Sequence, residues 1–270
     1  MPPSCPELHP LAQIAGGDGW RLSLPHSTDS ARLIFVSRGH GTALLDGLAQ
    51  TVTPNTALFV PAGTLFALDA KLRQSGLALI VPSQDAPDMQ LPEAALCLRV
   101  PSRQAQAEFS ALTTAMSQEQ QVQRDFHAAA ARAHATLIAI WLRRQTLAAA
   151  QSSGLRADQR LAQTFARNLS GCINASDTVA AHAARLGVTP THLARACKRA
   201  AGLGAGALLT GLALHAARQL LADSPHPVGR IATHLGFRSA AYFTRFIQNH
   251  TGRTPTQLRA ESAARRRQAS

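Results

Sequence analysis

Aromatic side chains are scarce, twelve in 270 residues, with one tyrosine and two tryptophans among them. Charge of one sign is scarce as well: residues 151–270 hold only 4 Asp and Glu against 16 Lys and Arg, whereas residues 1–150 hold 11 of each. The net charge of +12 therefore falls in the second part of the chain, which marks that part as the one that meets a polyanion. No apolar run approaches the roughly 18 to 20 residues a membrane helix needs, so no membrane partner is expected. The opening MPPSCPELHP has no basic stretch ahead of an apolar core, which speaks against a secretory signal and for a cytoplasmic protein. Cys5, Cys97, Cys172 and Cys197 lie far apart with no C-x-x-C, and read as buried or idle thiols, not as a disulfide framework or a zinc site. Nor is there a nucleophile constellation or a phosphate-cradling glycine loop. No catalytic residue, metal ligand or cofactor is expected.

What is present falls into two parts. The first hundred residues read as short strands cut by turns: ARLIFVSRGHG from residue 31, TALLDGLAQTVTP from 42, TALFVPAGTLFALDA from 56 and SGLALIVP from 75. Asp46-Gly47 between two apolar stretches is a tight-turn signal, and the even spacing predicts a small β-sandwich or barrel. From Ser102 the period changes. Phe109, Leu112 and Met116, then Phe126, Ala130, Ala133, Leu137 and Ile140 with Trp141, recur by three and four, which predicts one or two helices, possible as an antiparallel hairpin. Their stripe either covers the chain's own barrel or meets a second copy. LAAAQSSGLRADQ (147–159) reads as the boundary, giving domains 1–150 and 151–270.

The second part is helical almost throughout and contains a repeat. LGVTPTHLARACKRAAG (186–202) and LGFRSAAYFTRFIQNHTG (235–252) both open on Leu-Gly after an alanine-rich helix and close on glycine, with Leu193-Ala-Arg195 matching Phe243-Thr-Arg245 fifty residues on. A short helix, a glycine turn and a second helix make a helix-turn-helix unit, here about 177–202 and 228–252. Asp177 is expected to open the first helix, Gly187 to end it, Thr189-Pro190 to start the next and Gly202 to stop it. Phe237, Phe243, Phe246 and Ile247 are expected to form the second unit's core, at roughly 2 kcal/mol of burial per ring. Thr191, Ala194 and Arg195 share one face of their helix, as do Ala241, Thr244 and Arg245 of theirs. Arginine is the commonest bidentate reader of guanine, so this matched pair is expected on bases or backbone, with Lys198, Arg199, Arg238 and Arg253 positioning phosphates. His192 lies on the first of these helices, and Tyr242 adjoins the core rings and points to DNA or to solvent. The helix expected over 206–224 is long enough, at roughly 27 Å, to hold two readers about one DNA turn apart.

IATHLGF, YFTRF and TGRTPTQLR in order, with LGVTPTHLARACKRAAG upstream, resemble the DNA-binding domain of the AraC/XylS family of transcription regulators. The run Phe246-Ile247-Gln248-Asn249 lacks the two lysines common after that arginine, and Cys197 stands where a phenylalanine is common. The resemblance implies an α+β protein: an N-terminal cupin-like barrel with helices, and an all-α C-terminal domain of two helix-turn-helix units joined by a linker helix. It implies double-stranded DNA and RNA polymerase as partners, a small organic effector, a homodimer through helices in 102–147, and recognition helices at Pro190–Ala201 and Ser239–His250. Phe35, Phe59 and Phe66 are the strand residues that could line an effector pocket or equally fill a solid core. Two other readings stay open, a general nucleic-acid-binding architectural protein and a cupin enzyme fused to a DNA-binding domain. The second would need clustered imidazoles, whereas the barrel region offers His9, His26 and His40 without His-x-His, and His127 and His134 lie seven apart on a helix.

Overall fold

Runs of β-branched and apolar residues between turns become the strands β1 (Glu7–Pro10), β2 (Ala31–Val36), β3 (Gly41–Leu45), β4 (Leu48–Val52), β5 (Thr56–Val60), β6 (Phe66–Leu68), β7 (Gly76–Val81) and β8 (Leu96–Arg99). The structure is a computed structural model and describes residues 5–16, 18–69, 71–72, 76–148, 154–169 and 177–269. All pairings are antiparallel, in a five-stranded sheet ordered β1-β7-β2-β5-β8 and a three-stranded sheet ordered β4-β3-β6. Two helices, α1 (Leu11–Ala15) and α2 (Trp20–Ser23), lie between β1 and β2.

The two sheets close over Ile34, Val36, Leu45, Leu58, Phe66 and Leu68. Because side chains alternate along a strand, the neighbouring residues Leu33, Phe35, Ala57 and Phe59 face the other way. They pack against α3 (Arg103–Val122) and α4 (His127–Ala148), through Phe109, Met116, Ile138 and Trp141. The helices form the expected antiparallel hairpin, but with a different buried face. On α4 the inward residues are Ala131, Ala135, Ile138, Ala139, Trp141 and Leu142, while Leu137 and Ile140 are exposed and Phe126, before the helix, is 87% exposed. Most of the expected seam on α4 is thus a solvent face; Trp141 alone of it is fully buried.

The outer face of the small sheet is covered as well. Leu44, Leu48, Leu65 and Ala67 share one core with Ala162, Phe165 and Ala166 of α5 (Ala157–Leu169). Asp46 and Gly47 take φ of 49° and 80°, as a two-residue hairpin turn with both centres left-handed demands. Gly47 is also where backbone meets backbone: a Cβ there would lie 2.6 Å from the Ala162 carbonyl oxygen. Beside it the Asp46 carboxylate accepts from Gln163 Nε2 at 2.8 Å and from Arg167 Nη2 at 2.9 Å. The barrel and the first helix after the 147–159 segment are therefore packed together. The boundary expected at 150–151 lies outside the described residues, as does Cys172; Cys5 and Cys197 are buried.

The remaining helices are α6 (Val179–Arg185), α7 (Pro190–Ala201), α8 (Ala205–Asp223), α9 (Val228–His234), α10 (Ala240–Thr251) and α11 (Pro255–Ala269). α8 is apolar nearly all round, as a helix packed on several sides must be: it shares one core with α5 and α7, and a second with α9, α10 and α11. No single helix among the described residues is long and apolar enough to cross a membrane.

Candidate nucleic-acid interface

Each unit is built by its caps. The α6 N-cap is Thr178, whose hydroxyl accepts from Ala181 N at 3.2 Å. Asp177, expected in that role, instead reaches Arg185 at 3.3 Å and lies 3.6 Å from His182; the shorter hydroxyl one residue on is better placed for the free amides of the first turn. α6 stops at Gly187, with φ of 67°. Thr189 then accepts from His192 N at 3.2 Å, Pro190 takes the first helical position, and Gly202 ends α7 at φ 72°. The second unit repeats the scheme, with Gly236 at φ 77°, Ser239 accepting from Tyr242 N at 3.1 Å, and Gly252 closing α10 at φ 70°.

The fifty-residue offset holds in three dimensions. Leu193 and Phe243 are both fully buried, each between its two helices. Phe243 meets Phe237 edge-on at 5.1 Å, within a core completed by Ile231, Leu235, Ile247 and Leu258. Phe246, expected in that core, is only half-buried and leans on its edge, with its ring 4.8 Å from His250. The outer face follows the expected pattern. Thr191, His192 and Arg195 are exposed and Ala194 half-buried, and Ala241, Tyr242 and Arg245 are exposed with Thr244 half-buried.

The cations divide into two groups. Arg199 reaches Asp158 of α5 at 3.2 Å, Lys198 donates to the Gly202 carbonyl at 2.9 Å, and Arg253 pairs with Glu261. Arg195, Arg238 and Arg245 meet no acceptor among the described residues. An exposed guanidinium without such an acceptor keeps all its donors available to a phosphate or to a base edge. The paired cations must first leave a carboxylate or a carbonyl.

The proposed effector-lining residues are not brought together. Phe35 and Phe59 lie between the large sheet and α3–α4, with Phe35 4.5 Å from Phe109, whereas Phe66 lies on the opposite side of that sheet. All three are buried, and no single pocket can be lined from both faces of a sheet. Among the described residues no three His, Cys, Asp or Glu side chains come together as a metal site would require. Arg167, Gln163 and His215 join the barrel to the helices and escaped the sequence reading, and His26 was read there only as a candidate ligand, because nothing in their local pattern marks a contact between distant segments.

Residues 182–261 match the model of a family described as a helix-turn-helix domain. The chain is similar to the C-terminal domain of AraT, a response regulator from Geobacillus stearothermophilus, at 26% identity over 40% of this chain and 88% of that one, with a TM-score of 0.35. It is also similar to a transcriptional regulator with an AraC-type DNA-binding domain from Chromobacterium violaceum, at 30% identity over 32% of this chain and 78% of that one, with a TM-score of 0.29. ToxT from Vibrio cholerae, in a structure with an unsaturated fatty acid bound, aligns over 96% of both chains at 9% identity and a TM-score of 0.45. No curated protein matches the chain. The C-terminal part thus carries a helix-turn-helix domain of the AraC type, in which the motif occurs twice.

Proposed function

We propose that the chain is a sequence-specific transcription regulator that reads double-stranded DNA through α7 and α10. The observation that carries this reading is the equivalent placement of Arg195 and Arg245, both exposed and both without an acceptor among the described residues. They stand on two separately capped units joined by α8. Residues 1–150 form the sensing and dimerising domain and residues 151–270 the reading domain. Phosphates are held by Arg238 together with Lys198, Arg199 and Arg253, and the protein works in the cytoplasm. A small organic effector acts by changing how the barrel packs on the helices, and so which DNA half-sites a dimer spans. The dimer forms through α4, where Leu137 and Ile140 are exposed. RNA polymerase is the protein partner at the promoter.

The test is to select sheared genomic DNA from the source organism on the purified protein at about 0.15 M salt and to sequence what is retained, since specific and charge-driven binding part at that ionic strength. Enrichment of fragments sharing a motif with two elements about one helical turn apart is expected. Uniform retention would overturn sequence reading in favour of an architectural protein that binds through charge.

A further inference from the structure

The barrel grips α8 along one line. Pro25 lies against Gly211 so closely that a Cβ on the glycine would be 2.7 Å from the proline ring. One turn further along α8, His215 lies flat on His26, with ring centroids 4.3 Å apart and planes 6° from parallel. Both rings are buried, at 3% exposure for His26 and 7% for His215.

Their hydrogen bonds define the protons they carry. His26 Nδ1 is 2.9 Å from the Leu24 carbonyl, so Nδ1 holds the hydrogen and donates it. Nε2 is then a bare acceptor, and Arg32 Nη1 donates to it at 3.3 Å. His215 donates from Nε2 to the Arg21 carbonyl at 3.3 Å. In this arrangement the His26 imidazole is neutral. A proton added to His26 would set an N–H against the Arg32 guanidinium and remove the acceptor that guanidinium uses. Arg32 Nε is already buried without a hydrogen-bond partner among the described residues.

The surrounding charges make that proton harder to hold. From the segment around α2 come Asp18 and Arg21, from the following loop Asp29, from β2 Arg32, from α8 Arg218 and Asp223, and from α11 Arg265. Two of the carboxylates are already committed: Arg21 holds Asp223 with contacts of 2.7 and 3.0 Å, and Asp18 takes Arg218 and, at 3.6 Å, Arg265. Asp29 is the charge that partly offsets buried Arg32. Arg21 and Arg218 also lie over the Trp20 ring at 4.8 and 4.7 Å, and Trp20 in turn packs 5.2 Å from His215.

We propose that the stacked His26–His215 pair is a proton-sensitive joint: protonation of either ring forces the barrel off α8, the helix that carries both readers. Its effect on DNA reading rests on the function proposed above, whereas the joint itself does not. Burial, then His215 and Arg32, hold His26 well below the usual imidazole range. Burial holds His215 down to about 4, against the pull of the Arg21 carbonyl and with the help of Arg21, Arg32 and Arg218. Rings released from the joint titrate near the ordinary imidazole value of about 6.5. The released state therefore binds more protons at acid pH. The contact is at full strength above about 6.5, and the ratio of docked to released chain falls by up to about tenfold per pH unit per histidine as the pH drops from there toward about 4.

The test takes the full-length chain, and its W141F variant so that Trp20 is the one tryptophan left, from pH 7.5 to pH 4.5, with the radius of gyration read by X-ray scattering and Trp20 by fluorescence. A reversible expansion beginning below about pH 6.5, with a change in Trp20 emission, is expected. The H26F/H215F double variant keeps two stacked rings that take no proton and is expected to hold its radius through the same range. A wild-type radius that does not change, or a double variant that expands with the wild type, overturns the joint. Should the double variant fail to fold, H215Q replaces it. Losing one proton site is expected to make the transition shallower and move it to lower pH, and an unaltered transition overturns the proposal. Neither readout uses DNA, so a chain that proves to read no sequence still answers this question.

Discussion

Replacing Gly47 by alanine tests the packing of the barrel on α5 most directly. The glycine sits at φ 80°, and an added Cβ would lie 2.6 Å from the Ala162 carbonyl oxygen and 2.8 Å from the Ala166 Cβ. Non-bonded carbons prefer separations of about 3.5 to 4 Å, so α5 must withdraw by roughly an ångström. Asp46, one residue earlier, opposes that withdrawal through Gln163 and Arg167. A left-handed conformation costs an L-residue about 1 to 2 kcal/mol, and overpacking adds about 1 to 3 kcal/mol. Gly63→Ala separates the two contributions, because Gly63 has φ of 74° but a Cβ there meets nothing within 4 Å. Native-state hydrogen exchange on α5 and on the β3–β4 hairpin is the assay. Gly47→Ala is expected to lower the opening free energy of α5 by about 1 to 3 kcal/mol, the overpacking contribution, and Gly63→Ala to leave α5 protected. Equal protection of α5 in both variants would refute the close approach.

Arg195→Ala and Arg245→Ala should each weaken binding to the selected site by about 1 to 3 kcal/mol and relax its sequence at one position; titrations against wild-type and scrambled sites that show no loss of discrimination would move the reading face elsewhere. Arg238→Ala should weaken all sequences alike and reduce the slope of log K against log salt by about one, measured by salt titration. Phe243→Ala removes a fully buried ring and should cost about 3 to 5 kcal/mol; a normal melting profile for the second unit would refute the core assignment. Ile140→Asp on the exposed face of α4 should halve the sedimenting mass, and an unchanged mass would place the dimer contact elsewhere.

The helix-turn-helix domain was legible because its signals are local. Thr189-Pro190, Gly202, Gly236 and Gly252 each satisfy a backbone requirement within four residues, so spacing alone locates them. The Asp46-Gly47 turn was legible for the same reason. The faces of α4 were not: its first half is mostly alanine, and a seam can be drawn through it at more than one phase, so the stripe through Ala133, Leu137 and Ile140 did not reveal that Ala131, Ala135 and Ile138 face the barrel. The strands hid their parity likewise. β5 is buried on both faces, so no polar residue marks which of Phe59 and its neighbours faces inward. His215 lies mid-helix in an alanine- and leucine-rich run, and only the folded chain brings it to a partner 189 positions earlier.

The attachment of α8 carries a mechanical consequence. Its 19 residues extend about 28 Å, with one helix-turn-helix unit before it and the other after it, and the barrel holds it near the middle, at Gly211 and His215. A rod pinned at its midpoint is a lever, and a pivot there swings its two ends in opposite senses. Each degree of tilt moves either end by about a quarter of an ångström and changes the offset between the two units by about half an ångström. A few degrees of play at one stacked pair of rings would then shift their alignment by about an ångström, with neither unit deformed.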